Sequence, residues 1–141
     1  MYLKAAAVAA VLLSSLAGVT GAETLHFTAT LRGSDEVPPN TTGGKGEVSA
    51  TLNTTTKVLD YTAIYTGLTG PATAAHFNEP AAPGSIAPPI IPMTNLASPI
   101  EGTRAVTDVQ IGDLTAGMWY FNIHTAAHPG GEIRGQLKAA L

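Results

Sequence analysis

Apolar and polar residues alternate with a period of two in several short runs along this chain. Residues of this pattern point to opposite faces of an extended strand, so each run predicts a half-buried β-strand. Turn residues separate the runs, with Pro38-Pro39 and Gly43-Gly44 between the first two. Short strands at such spacing are typical of a β-sandwich or barrel. The alternating segments are 27–31, 48–52, 59–65 and 104–109.

The stretch from Trp119 to Leu137 contains the most detailed pattern. Trp119, Phe121 and Ile123 alternate with polar or amphipathic residues, and the turn Pro129-Gly130-Gly131 is followed by a second alternating run. This order predicts a hairpin or a connection between packed strands. His124 falls at the end of the first strand and His128 in the loop.

Residues 1–22 resemble a secretory signal peptide. One cation, Lys4, precedes an apolar run from Ala5 to Leu16, and small residues lead to Ala22. This arrangement predicts cleavage near Ala22 and export. The apolar run is shorter than the roughly 20 residues that cross a membrane, so we expect no membrane contact after cleavage. The remaining residues, 23–141, should form one domain that is periplasmic or secreted.

The composition excludes some classes of binding partner and of metal ligand. The net charge is −3 and only 12% of residues are charged, so no basic surface for nucleic acid is expected. The chain has no cysteine, which excludes disulfides and thiolate metal ligands. We find no long run of helical periodicity after residue 22. The proline-rich segment from Asn78 to Pro99 should be a long loop with one edge strand near Ile90 to Met93.

Three blocks of sequence together resemble the CHRD family, named after the repeats of chordin. The blocks are FTATLRGSDEVPP at residues 27–39, GLTGPATAAH at 67–76, and the segment from Leu114 to Leu137. The resemblance implies an antiparallel, Greek-key-like β-sandwich of immunoglobulin-like or superoxide dismutase-like shape. It also implies metal binding, particularly of copper, by histidines. The family usually has His-x-His where this chain reads His76-Phe77-Asn78.

A metal site is therefore predicted at His76, His124 and His128. Neutral imidazole suits copper first and zinc second, and the chain offers few carboxylates and no thiolates. His26 is expected on the surface. Two alternatives stay open: a copper-only superoxide dismutase-like enzyme, and a metal-free extracellular module that binds a protein not yet identified. We find no signature of a serine hydrolase.

Glu132 and Arg134 are expected on one side of their strand. There they would join a polar network with Glu36 or Asp108 that holds the last strand in place. Arg134 near a metal could instead attract a small anion. Tyr120 and Asn122 share the predicted face of His124 and are candidates to orient its ring.

Overall fold

The computed structural model describes residues 23–140 of the chain. The predicted signal peptide lies outside these residues. Within them, no helix is long and apolar enough to cross a membrane. Residues 23–140 form nine strands, one helix and one 3₁₀ turn. The strands are β1 Thr24–Arg32, β2 Lys45–Asn53, β3 Val58–Thr66, β4 Ala72–Asn78, β5 Pro89–Pro92, β6 Ile100–Ala105, β7 Tyr120–Thr125, β8 Ile133–Gln136 and β9 Lys138–Ala139; the helix is α1 Asp108–Thr115, and the 3₁₀ turn is Gly33–Asp35.

All strand pairs are antiparallel, and the strands are ordered β5-β4-β7-β8-β1-β2-β3-β6. Strands β8 and β1 share a single register pair, Arg32 with Arg134, and β9 pairs with β1. The sheet bends at this narrow junction, and its two halves pack face to face. Tyr61 of β3 contacts Phe77 of β4 across the interior, with ring centroids 5.1 Å apart. The predicted antiparallel β-sandwich is confirmed.

One hydrophobic core fills the space between the halves. The alternation in the sequence places its members correctly, since every second residue is buried from Phe27 to Leu31 in β1 and from Gly46 to Leu52 in β2. Phe77 is the central ring, with Phe121 at 4.9 Å and Trp119 at 5.7 Å between centroids. The predicted hairpin also forms, as β7 and β8 pair from Tyr120 with Gln136 to Ile123 with Ile133.

The segment predicted as a strand at 104–109 is different in the structure. Strand β6 ends at Ala105, and helix α1 begins at Asp108. Thr107 caps this helix: its side chain accepts a hydrogen bond from the Gln110 amide, and the Gln110 side chain accepts one from the Thr107 amide. Such a reciprocal cap satisfies two backbone donors that the first helical turn leaves free. The helix cap and the burial of Leu114 in the core stabilise the helix here, although the short alternating pattern predicts a strand.

The proline-rich segment follows the prediction. Strand β5 pairs with β4 at the end of the sheet, and Pro89 and Pro92 lie at its two ends. Prolines cannot donate to a further strand, so this edge of the sandwich is blocked.

Candidate functional site

The outer face of β4, β7 and β8 carries polar side chains that are buried rather than solvated. Asn78 is 1% exposed, Arg134 2% and Asn122 5%. The turn after β1 and the loop after β4 lie over this face. Glu36 of that turn is buried on it, and carbonyls of the loop accept hydrogen bonds from Arg134 and Gln136. We call the set of Glu36, Asn78, Asn122 and Arg134 the polar layer.

Two of the predicted ligand histidines lie together at the side of this layer. In the β4–β7 register, His76 lies opposite Asn122 and His124 opposite Ala74, so the two imidazoles are diagonal neighbours. Their ring centroids are 4.7 Å apart and the rings are tilted by 56°. Both side chains are half-buried.

An oxygen atom lies against each of the two ring nitrogens of His124. Nδ1 of His124 is 2.9 Å from the Pro129 carbonyl, and Nε2 is 3.3 Å from Oδ1 of Asn122. Asn78 in turn donates to Oδ1 of Asn122 at 3.1 Å and to the His76 carbonyl at 3.1 Å. Asn78, where the resemblance led us to expect a second histidine, therefore holds Asn122. Asn122 is confirmed beside His124, whereas the Tyr120 hydroxyl bonds to the backbone of Ala87 instead.

One ring nitrogen of His76 is unpaired in the described structure. Its Nδ1 is buried and has no hydrogen-bond partner among the described residues. Burial, together with the nearby His124, lowers the pKa of His76. A ring of lowered pKa is neutral near pH 7 and keeps a lone pair, which is the form that binds a metal ion.

His128 lies in the turn between β7 and β8, and its backbone exchanges hydrogen bonds with the backbone of Thr125. Within residues 23–140, no three or more His, Cys, Asp or Glu side chains form a group that could hold a metal ion. His26 is exposed on β1, in the other half of the sheet, as predicted.

Glu36 was only a candidate partner in the sequence, and the structure gives it a central position. Its carboxylate lies against Gly131, where a Cβ would be 2.4 Å from Oε1. Gly131 also has a φ of 127°, which side chains rarely allow. Burial raises the pKa of Glu36 to about 7, against the opposing effects of Asn122, Arg134 and the Val37 amide. Oε1 has no hydrogen-bond partner among the described residues.

Glu132 and Arg134 belong to separate networks, so the prediction of one shared network is wrong. Glu132 accepts hydrogen bonds from the side chains of Thr42, Thr69 and Thr125 at one end of the sandwich. Burial alone would raise its pKa, but these hydrogen bonds together with the Thr69 amide lower it. Three hydroxyl donors around one acid could not be found by periodicity, because Thr42 and Thr69 lie in loops far apart in sequence.

Arg134 stacks on Tyr120, with the guanidinium carbon 3.5 Å from the ring centroid. It faces Glu36, as predicted, while Asp108 is away from this site and pairs with Lys57 at 2.9 Å. Nothing in the sequence near Glu36 indicated that Gly131 would be its neighbour, although the double glycine of the turn was a signal for close backbone approach.

The described residues form one small β-domain with a covered polar face. The family model described as CHRD domain matches residues 27–137, nearly the whole described chain. The chain therefore belongs to the CHRD family, as the sequence blocks predicted. No curated protein and no solved structure matches it significantly.

Proposed function

We propose that this protein is exported to the periplasm or the cell exterior and binds a copper-like ion at His76 and His124. His128 is the candidate third ligand, four residues beyond His124 at the same end of β7. Two observations support the proposal. The ring centroids of the two imidazoles are 4.7 Å apart, and the buried Nδ1 of His76 has no hydrogen-bond partner in the described structure.

The donor set favours copper over other ions. Imidazole nitrogens suit copper and zinc, and the site has neither thiolates nor a carboxylate cluster that would select iron–sulfur clusters or calcium. Two imidazole nitrogens, or three with His128, would leave the remaining positions to water or to an external ligand. An open coordination of this kind is suited to taking up and passing on an ion, so metal handling fits these residues better than permanent storage. The Pro129 carbonyl would hold Nδ1 of His124 as an outer-shell partner, and metal binding at Nε2 would replace its 3.3 Å contact with Asn122.

The test is a Cu(II) titration of the mature protein, followed by electron paramagnetic resonance and calorimetry. Wild-type protein should bind about one equivalent with nitrogen hyperfine structure. His76→Ala and His124→Ala should each weaken binding at least tenfold, or about 1.4 kcal/mol. His128→Ala should have the smaller effect of a third ligand. His26→Ala is the matched control, because this exposed histidine lies on the opposite half of the sheet.

Unchanged affinity in both His76→Ala and His124→Ala would refute the metal proposal. Zinc is tested in the same series as the second ion. Superoxide turnover by the copper-loaded wild type, above that of free copper at equal concentration, would support the enzyme alternative. Turnover equal to the free-ion control would leave a binding protein.

A metal-free interaction module is the second candidate, and one observation favours it. Strand β6 forms the end of the sheet opposite to β5, and its outer edge pairs with no other strand in the described part of the chain. Its residues IEGTRA include no proline, so the backbone is able to add a partner strand. Elemental analysis of protein isolated from its native compartment separates the candidates: copper at near-equal molar content supports the first, and none supports the second.

A further inference from the structure

A cleft of about 540 Å³ opens beside the polar layer, at the junction of β1 and β8. It is distinct from the histidine pair. Its walls come from the outer faces of β1, β8 and β9, from the turn after β1, and from the loop after β4. Three cations line it, Arg32, Arg134 and Lys138, together with two acids, Asp35 and Glu36. A volume of this size lies within the usual range for small-molecule sites.

One of these cations, Arg134, has no ion-pair partner in the described structure. Arg134 is 2% exposed, yet the ion pairs within residues 23–140 join Arg32 with Asp35 and Lys57 with Asp108, and neither involves Arg134. Its hydrogen bonds in the described structure use Nη2 alone, to the neutral oxygens of Ala82 and Gln136, both at 3.4 Å. Stacking on Tyr120 offsets only part of the cost of burying the charge.

A buried guanidinium normally has a carboxylate or phosphate partner, because desolvation of an unpaired charge is expensive. Asp35 is engaged with Arg32 at 3.5 Å. Glu36 faces Arg134 without an ion pair, and its Oε1 has no partner among the described residues. The wall therefore contains a buried guanidinium without an ion-pair partner, next to a carboxyl group whose Oε1 has no hydrogen-bond partner in the described structure.

We propose that this cleft binds the carboxylate group of an organic anion, with the guanidinium of Arg134 as its charge partner. A planar carboxylate matches the paired N–H groups of arginine. A dianionic phosphate would be repelled by Asp35. It would also be repelled by Glu36 whenever the Glu36 carboxyl group is ionised. The raised pKa of Glu36 agrees with this choice, since a protonated carboxyl group can donate a hydrogen bond to the bound anion.

The rest of the ligand would contact apolar side chains at the mouth of the cleft. Val37, Pro39 and Pro83 line it, and Val37 is 38% exposed. Lys138 adds positive charge to the cleft lining, where it attracts anions from solution. Two sources fit this chemistry: a free organic acid, and the C-terminal carboxylate of a peptide or protein.

The experiment is a titration of copper-free, ¹⁵N-labelled protein followed by two-dimensional NMR. The probes are propionate, its uncharged analogue propionamide, a tripeptide with a free C-terminus and the same tripeptide amidated. Propionate should bind saturably with a Kd of roughly millimolar size, as expected for few atoms. Propionamide and the amidated tripeptide should bind at least tenfold more weakly. Shifts should centre on Val37, Gln136 and Lys138.

Arg134→Lys keeps the charge but removes the paired donors, and it should weaken propionate binding at least tenfold. Arg104→Lys, on the exposed edge strand β6, is the matched control and should leave the Kd unchanged. Lys138→Gln should raise the Kd two- to threefold, while Lys45→Gln should not. If Arg134→Lys does not fold, the wild-type shift pattern and the comparison of propionate with propionamide still show whether the cleft binds a carboxylate.

Tighter binding of the free tripeptide than of propionate identifies a protein C-terminus as the ligand, whereas equal affinity identifies a small free acid. Both results support a carboxylate site. Absence of saturable binding, shifts located away from the cleft, or equal binding of propionate and propionamide would overturn the proposal.

Discussion

The two outer faces of the sandwich differ sharply. On β1 and β2, exposed and buried residues alternate, and the outward side chains are short and polar, such as Thr28, Thr30 and Ser49. On β7, five of the six residues are buried, and on β8 three of four. The first face is in contact with solvent, while the second is covered by the turn after β1 and the loop after β4. Both candidate binding sites lie on the covered half or at its border.

This difference separates two kinds of sequence constraint. On the open face, any soluble side chain that tolerates a strand is adequate. On the covered face, each polar group must find a partner, because an unpaired buried group costs about 1–3 kcal/mol. The covered half should therefore be sensitive to small changes that the open half tolerates.

The largest expected effect is at Gly131. Gly131→Ala places a methyl group against the Glu36 carboxylate at a φ of 127°, so two sources of strain act together. We expect a loss of about 4 kcal/mol in the free energy of unfolding, measured by urea denaturation. Gly130→Ala is the control, because its added Cβ would meet nothing within 4 Å. Equal stability of the two variants would show that Glu36 is not held against the turn.

The next effect is a dependence of stability on pH that Glu36 produces. Its pKa is raised from 4.5 to about 7 in the folded state. Its contribution to stability is therefore fully present below pH 4.5 and is lost as the pH rises to about 7, because the unfolded chain releases the proton first. The total loss is at most about 3 kcal/mol, reduced by water in the adjacent cleft.

Glu36→Gln should remove this dependence. In thermal unfolding, the stability of the variant relative to the wild type should therefore increase as the pH rises from 5 to 8. Glu47→Gln is the matched control on the exposed face of β2. A wild-type stability that rises over this pH range with no change in Glu36→Gln would contradict the buried, neutral carboxyl group.

The same comparison explains what could be predicted from sequence. Alternation located the strands of the open half, the hairpin β7–β8 and the core residues Phe27, Trp119 and Phe121, since one face of each strand meets the core. It also placed His124 at a strand end, whereas His76 became a candidate through the resemblance to the CHRD family. Alternation carries no information about loops that fold over a sheet, so the contact between Glu36 and Gly131 was not anticipated. Helix α1 was missed because a cap at Thr107, rather than periodicity, determines it.

The smallest of these effects, and the most direct test of the contrast, is at Asn122. Asn122→Ala removes the acceptor for Asn78 and His124 and a partner of Glu36, and all of these groups lie on the covered face. We expect a loss of about 2 kcal/mol in the free energy of unfolding. Ser49→Ala, at an outward position of β2, should change it by less than about 0.5 kcal/mol. Similar losses at both positions would mean that the open face also depends on specific partners, and that the covered half is not the specialised one.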